Sequence, residues 1–215
     1  MRPHNGLLHI LWKTKMGKVF IGRSVNDKED ESYTPKYAVT PLLKFIDAPP
    51  LTIWCPFDKK YSEYVKVFSE KGYKVIHTHI DDGVDFLTCE VPDCDLVISN
   101  PPFSIKKKIL KRLNQIGKPY AMLLPANMLN DNYHDVLDEN TQMLIFDKRI
   151  EYKRISKASR VPFKSIYICR NFLPKTLVFD YLQIYDDDLV LTDEIIQDLK
   201  MSRKNGFGKQ TKMEI

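Results

Sequence analysis

The sequence predicts an α/β fold with a mainly parallel sheet and helices on both faces. Short apolar segments rich in β-branched residues alternate with segments of helical periodicity, which is the pattern of a parallel sheet covered by helices. The 215 residues are 43% hydrophobic and 28% charged, which supplies one core and excludes a disordered or fibrous chain. No apolar run approaches the ~18 residues needed to span a bilayer, so we predict no transmembrane segment.

The helices are predicted from their apolar spacing and their ends. Thr34 is a candidate N-cap, and Pro35 a candidate first residue, for a helix over 37–46. Further helices are expected over 60–71 and 106–115. Each is followed within two residues by a glycine, which accepts the left-handed conformation at a helix end.

The strands are the apolar segments between these helices. They are predicted, in chain order, over 51–54, 74–80, 95–99, 120–124 and 142–146. Two later strands, over 164–169 and 177–179, could form an antiparallel edge of the sheet.

The ends of the chain differ from its centre. Residues 1–31 are predicted to form an N-terminal extension with a hairpin turning at Gly17, before one domain over 32–199 and a basic tail over 200–215. The four cysteines include no CxxC pair, so we expect no structural zinc. The polar residues 1–6 make a poor signal peptide, so we expect reduced thiols and a cytoplasmic protein.

Charge is unevenly distributed along the chain. The segment 106–118 holds six basic residues and no acid, and 148–175 holds nine against one acid. The stretch 179–199 carries seven acids and no base. Because clustered cations neutralise phosphates, the basic blocks favour a polyanionic partner. The alternative is a solvated surface paired in part with the acidic stretch.

The most informative motif is Asn100-Pro101-Pro102-Phe103. It follows an apolar strand and precedes a helix, so it lies at the carboxyl end of a parallel strand, where ligands bind in open α/β sheets. Asn100 offers a side-chain oxygen, and the prolines stiffen a turn whose carbonyl has no competing donor beside it. Phe103 supplies a flat apolar face. Two acceptors and an aromatic ring suit the exocyclic amino group of a planar base.

Asn-Pro-Pro-Phe after a hydrophobic strand resembles the catalytic signature of S-adenosylmethionine-dependent amino-methyltransferases, and its asparagine resembles the N6-adenine enzymes. From about 33 to 174 the chain is similar to small N6-adenine methyltransferase-like proteins of bacteriophages. The resemblance implies a Rossmann-like class I methyltransferase fold over 32–199, with one antiparallel strand. It implies methyl transfer from S-adenosylmethionine to the N6 amino group of adenine in DNA, inside a host cell if the protein is phage-encoded.

The resemblance also implies which residues hold the cofactor. Tyr33-Thr34-Pro35 resembles the segment that packs on the cofactor's methionine end. Cys55-Pro56-Phe57-Asp58 resembles the Asp/Glu-Pro-Phe loop after the first strand, although Asp58 and its successors replace the usual glycines. At the end of the second strand the acid that bonds the ribose hydroxyls is either displaced or replaced by a histidine, His79. Asp85-Phe86 resembles the pair beside the cofactor adenine. Asn100 is shared between this site and the catalytic motif.

The basic blocks and one aromatic residue are the expected nucleic-acid contacts. Phe163 matches a late aromatic residue that helps hold a flipped adenine in related enzymes, and a core phenylalanine is its alternative. The full set is Lys106, Lys107, Lys108, Lys148, Arg149, Lys153, Arg154, Lys157, Arg160 and Phe163.

Other activities have less support. The sequence has no Gly-x-Ser-x-Gly nucleophile elbow and no P-loop, and His77 and His79 lack a third metal ligand at recognisable spacing. Two alternatives to a DNA enzyme stay open. They are an RNA adenine methyltransferase and a catalytically silent binding protein of the same fold.

Overall fold

A single sheet organises the molecule. The computed structural model describes residues 33–131, 133–152, 162–185 and 192–197. In this part of the chain the sheet has seven strands, which are β1 (Thr52–Cys55), β2 (Lys74–His77), β3 (Leu96–Ser99), β4 (Tyr120–Pro125), β5 (Thr141–Phe146), β6 (Ser165–Arg170) and β7 (Leu177–Asp180). The predicted extension over 1–31 and the tail over 200–215 lie outside the described residues.

The strand order is β2-β1-β3-β4-β6-β5-β7. β6 runs antiparallel to both of its neighbours, β4 and β5. The other pairings within the described sheet are parallel. A mainly parallel sheet with one reversed strand confirms the predicted Rossmann-like α/β fold.

The two late strands do not form the antiparallel edge that the sequence suggested. β6 lies inside the sheet, and its first five residues are all buried. β7 is the edge strand and runs parallel to β5. The apolar run of β6 needs neighbours on both sides and cover on both faces, whereas exposed and half-buried residues alternate in β7, as suits an edge.

Three α-helices of the described residues pack on the sheet. They are α1 (Lys36–Val39), which continues as a 3₁₀ helix over Thr40–Phe45, α2 (Glu63–Glu70) and α3 (Lys106–Ile116). The first was predicted as one α-helix capped by Thr34, and this is wrong. Pro35 is the N-cap residue and no side chain caps the helix. Pro41 brings no N–H and its ring crowds the preceding turn, so the α-helix gives way to 3₁₀ geometry.

The sheet has a buried cluster on each face. Ile53 and Cys55 of β1 pack in the cluster that includes α2, while Trp54, between them in sequence, packs in the cluster that includes α3. This alternation is what a strand covered on both faces requires. Within the described ranges, no helix is long and apolar enough to cross a membrane.

Candidate active site

One cavity of about 480 Å³ opens at the carboxyl ends of β1, β2 and β3. The loops that follow these three strands form most of its wall, as expected where an open α/β sheet binds its ligand. The predicted site residues that line it are Tyr33, Thr34, Pro56, Phe57, Asp58, His79, Asp85, Phe86, Asn100, Pro101 and Pro102.

Three of the predicted catalytic and cofactor-binding residues do not line the cavity. Cys55 lies in the core, because alternate residues of β1 face opposite sides of the sheet. Pro35 is buried at the start of α1. Phe103 packs against Phe163, with ring centroids 5.6 Å apart and planes at 74°, and against Tyr152 at 6.5 Å. Phe103 therefore belongs to an aromatic group beside the catalytic turn.

The Asn-Pro-Pro turn is rigidly built. β3 is paired with β4 as far as Ser99, so Asn100 follows directly from a fixed strand. Pro101 is buried, and Pro102 is the N-cap of a 3₁₀ turn over Phe103–Ile105 that leads into α3. The prolines fix their own φ angles, so the side chain of Asn100 is held between a strand and a short helix at the cavity wall.

Asp58 is the most perturbed carboxyl group that borders the cavity. Its Oδ1 accepts a hydrogen bond from Ser62 Oγ, and its Oδ2 accepts one from Ser99 Oγ. Burial raises the pKa of Asp58 to about 6, although the two serine hydrogen bonds act in the opposite direction. Ser62 also caps α2, because its Oγ accepts a hydrogen bond from Tyr64 N at 3.1 Å.

Aromatic rings form another part of the wall. Phe86 lies 4.9 Å from Phe57 and 5.4 Å from Trp54, measured between ring centroids. Arg112 of α3 packs over the outer part of this group, 5.8 Å from the Phe86 centroid, and donates a hydrogen bond to the Cys89 carbonyl at 2.6 Å. The sequence placed Arg112 only in a basic block, and the structure gives it a local partner.

The loop that carries Asp85 is held by a hydrogen bond from its own backbone. Asp85 Oδ1 accepts a hydrogen bond from Leu87 N at 2.9 Å, and Asp85 is half-buried at the cavity. The carboxylate therefore has a defined orientation and keeps acceptor positions for a ligand, since each ionised carboxylate has about four.

His79 sits at the mouth of the cavity in a polar cluster. Its Nδ1 accepts a hydrogen bond from Asp81 N at 3.1 Å, which puts the proton of the neutral ring on Nε2. Lys59 Nζ forms a 2.6 Å ion pair with Asp81. The strand β2 ends two residues before His79, earlier than predicted, because the histidine caps the 3₁₀ turn over Ile80–Asp82.

Thr34 brings a buried hydroxyl to the cavity. Its side chain is 6% exposed, and its Oγ1 has no hydrogen-bond partner within the described part of the chain. Beside it, the rings of Tyr33 and Tyr61 lie 6.1 Å apart. A buried hydroxyl without a partner is unfavourable, so a polar ligand group at this position would relieve it.

Sequence reasoning missed several lining residues. Tyr61, Ser62 and Glu63 follow Asp58 and line the cavity, and Ile195 reaches it from late in the chain. Ser62 had a readable signal, a serine just before an apolar helical run. Ile195 had none.

The expected nucleic-acid contacts are only partly described. Lys108, Lys148 and Arg149 are exposed, and Lys106 is half-buried. Lys107 forms a 2.8 Å ion pair with Asp135. Phe163 is half-buried against Phe103. The remaining predicted contacts, Lys153, Arg154, Lys157 and Arg160, lie outside the described residues.

The acidic stretch has one described ion pair at its start. Asp180 ends the edge strand β7, and its Oδ2 lies 2.6 Å from Lys44 Nζ. Lys44 belongs to neither basic block, so this contact does not neutralise them.

No protein-family model matches the chain, and no curated protein does. Among solved structures, a protein described as a class I S-adenosylmethionine-dependent methyltransferase from Listeria monocytogenes aligns with a TM-score of 0.43 and 17% identity, over 85% of this chain and 74% of its own. The 23S rRNA methyltransferase ErmE aligns at 0.40 and 11% identity, over 83% and 80%.

A type I restriction-modification methyltransferase subunit from Streptococcus thermophilus aligns at 0.39 and 12% identity, and this chain spans about half of it, 52%. Similarities at this level do not assign a substrate.

Proposed function

We propose that the protein transfers a methyl group from S-adenosylmethionine to the N6 amino group of adenine in DNA. The observation that carries this proposal is that Asn100, Pro101 and Pro102 border the same cavity as the loops after β1 and β2. A methyl donor and an amino group must meet within one site. This cavity is bordered both by the Asn-Pro-Pro turn, expected to bind the amino group, and by the loops expected to bind the methyl donor.

The cavity suits the proposed cofactor in size and chemistry. Its volume of about 480 Å³ falls in the usual range for small-molecule sites. Phe57 and Phe86 offer apolar faces for an adenine ring, and Asp85 offers an acceptor for its amino group. The carboxyl groups of Asp58 and Glu63 favour a positively charged ligand, and the Thr34 hydroxyl would gain a polar partner.

The protein's own contribution to the reaction is orientation and electrostatics. S-adenosylmethionine, when bound, supplies an electrophilic methyl group. The target amino nitrogen is a weak nucleophile because its lone pair is delocalised into the base. The Asn100 side-chain oxygen and the Pro101 carbonyl are the acceptors we assign to its two hydrogens. They localise the lone pair on nitrogen, a C–N bond forms as the C–S bond breaks, and the released proton leaves to solvent.

DNA is the polymer we favour, and its contacts are expected along the start of α3. This helix begins three residues after Phe103, so its exposed lysines are carried next to the catalytic turn. Phe163 packs against Phe103 beside this turn, and its expected contact with a flipped base stays a prediction. RNA differs by its 2′-hydroxyl and its helix geometry, and a comparison of matched DNA and RNA strands separates the two substrates.

The proposal is tested by replacing Asn100 with alanine. We expect methyl transfer to adenine-containing duplexes to fall on the order of 10² to 10³-fold, because one acceptor for the transition state is lost. Cofactor affinity, measured by calorimetry, should change much less. Asn127→Ala is the matched control, since Asn127 is exposed and does not line the cavity.

Unchanged methyl transfer by the Asn100 variant would contradict the catalytic assignment. A wild-type protein that binds S-adenosylmethionine but methylates no nucleic acid would favour the silent binding protein instead. The observation behind that alternative is the replacement of loop glycines by Asp58 and the residues after it.

A further inference from the structure

The neighbouring strands β1 and β3 separate where the cavity opens. Their last backbone pair joins Trp54 to Val97, whereas β3 stays paired with β4 as far as Ser99. The chain order also reverses here, since β2 lies on one side of this pair and β4 on the other. Beyond the last pair, no backbone ladder sets the distance between the loop after β1 and the turn after β3.

One buried carboxylate spans this gap. Asp58 belongs to the loop after β1, and Ser99 at the end of β3 donates a hydrogen bond to its Oδ2. Its Oδ1 accepts from Ser62, the N-cap of α2. Asp58 is 7% exposed and Ser99 is fully buried, so water competes little for these bonds. Hydrogen bonds to an ionised group are about twice as strong as neutral ones.

We propose that Asp58 is a positioning residue that fixes the Asn100 turn relative to the cofactor loop. This inference rests on the proposed function, because it gives Asn100 its catalytic task. Ser99 directly precedes Asn100, and the two prolines restrain the turn from the other side. A glycine loop would fill this space with backbone alone. Here the Asp58 side chain fills it and connects the loop after β1 to the end of β3 through the hydrogen bond from Ser99.

The positioning role of Asp58 is tested by hydrogen exchange of the ligand-free protein. Ser99→Ala removes the hydroxyl on the β3 side, and exchange of the peptide 100–105 should accelerate on the order of tenfold or more, the effect of losing a hydrogen bond to a charged group. The matched variant is Ser62→Ala, which removes the other hydroxyl from the same carboxylate. It should loosen the first turn of α2 and leave exchange over 100–105 unchanged.

The second measurement separates positioning from binding. In Ser99→Ala, kcat for methyl transfer should fall on the order of tenfold or more, while the Kd for S-adenosylmethionine measured by calorimetry changes far less. Equal exchange over 100–105 in wild type and Ser99→Ala would overturn the proposal, as would equal acceleration there in Ser62→Ala.

A variant that keeps the volume of the site covers the case in which Ser99→Ala does not fold. Asp58→Asn replaces the charge-assisted bonds by neutral ones, so exchange over 100–105 should again accelerate, and no change would overturn the proposal. A wild-type protein that binds no S-adenosylmethionine would contradict the proposed function, whereas the exchange result in the free protein would still decide the role of Asp58.

Discussion

The stability of Asp58→Asn relative to wild type should rise as the pH rises from acid to neutral. The folded-state pKa of Asp58 is raised from 3.8 to about 6, chiefly because the carboxyl group is buried. A raised acid pKa means that the folded state binds the proton more tightly than the unfolded state. The contribution of Asp58 to wild-type stability therefore decreases as the pH rises from about 3.8 to about 6, and the full loss persists above that range.

The magnitude follows from the difference between the two pKa values. At 1.36 kcal/mol per pKa unit, the ionised carboxylate lowers the free energy of unfolding by about 3 kcal/mol at high pH. Asparagine does not titrate, so this loss is absent in the variant. The stability of Asp58→Asn relative to wild type should therefore rise by about 2 to 3 kcal/mol between about pH 4 and about pH 8.

Urea unfolding of both proteins across this pH range measures the effect. Other ionisable groups near Asp58 are common to both proteins and largely cancel in the difference, including Lys59, Glu63 and His79 at the cavity. The pKa of buried Cys55 is raised well above its usual value, so this thiol stays neutral over the range. The buried phenols of Tyr64 and Tyr167 behave likewise.

Asp93→Asn, at an exposed position, is the control for removing one negative charge. A relative stability of Asp58→Asn that does not depend on pH would refute the reasoning from burial. A relative stability that falls with pH would mean that the hydrogen bonds from Ser62 and Ser99 outweigh desolvation, because these bonds lower the pKa.

Two predictions concern the ligands. Asp85→Ala should weaken binding of S-adenosylmethionine more than binding of DNA, because Asp85 lines the cavity and not the basic helix; equal weakening of both ligands would contradict this role. Replacing Lys106, Lys108 and Lys111 by alanine should weaken binding to all duplexes alike and make the affinity less dependent on salt. Each phosphate that a lysine neutralises adds about −0.9 to the slope of log affinity against log salt concentration, so fewer contacts give a flatter slope. Fluorescence anisotropy from ~50 to ~200 mM salt measures this, with Lys71→Ala, just after α2, as control. A salt slope unchanged from wild type would argue against α3 as the DNA contact.

The features that sequence could predict are those that depend on near neighbours. The apolar segments became strands, and Gly117 ends α3 in the left-handed conformation, with φ of 72°. The Asn-Pro-Pro turn lies at a strand end beside the cavity, as its flanking segments predicted. Each of these follows from a pattern of a few residues, which local propensities and the rules of parallel sheets suffice to interpret.

The features that sequence could not predict depend on partners that are distant along the chain. Asp58 stands at a position where the loop it resembles has glycine. Its role could not be predicted, because the hydrogen bond that it accepts comes from Ser99, 41 positions later. Thr34 has the form of a helix cap, yet the helix starts from Pro35, and the threonine lines the cavity instead. Phe103 was expected at the ligand, and the distant Phe163 and Tyr152 hold its ring in another contact.

The buried polar residues explain why local rules fail at this site. Two buried polar residues that do not line the cavity are satisfied: the Thr141 hydroxyl accepts a hydrogen bond from Asp138 N, and Ser165 accepts one from Tyr152. At the cavity, Asp58 is buried at a cost in stability and Thr34 has no partner in the described part of the chain. Both unfavourable features border the same space, where a polar, positively charged ligand would bring what they lack. Such departures concentrate at functional sites, because a group reserved for a ligand cannot also be optimised for the folded chain alone.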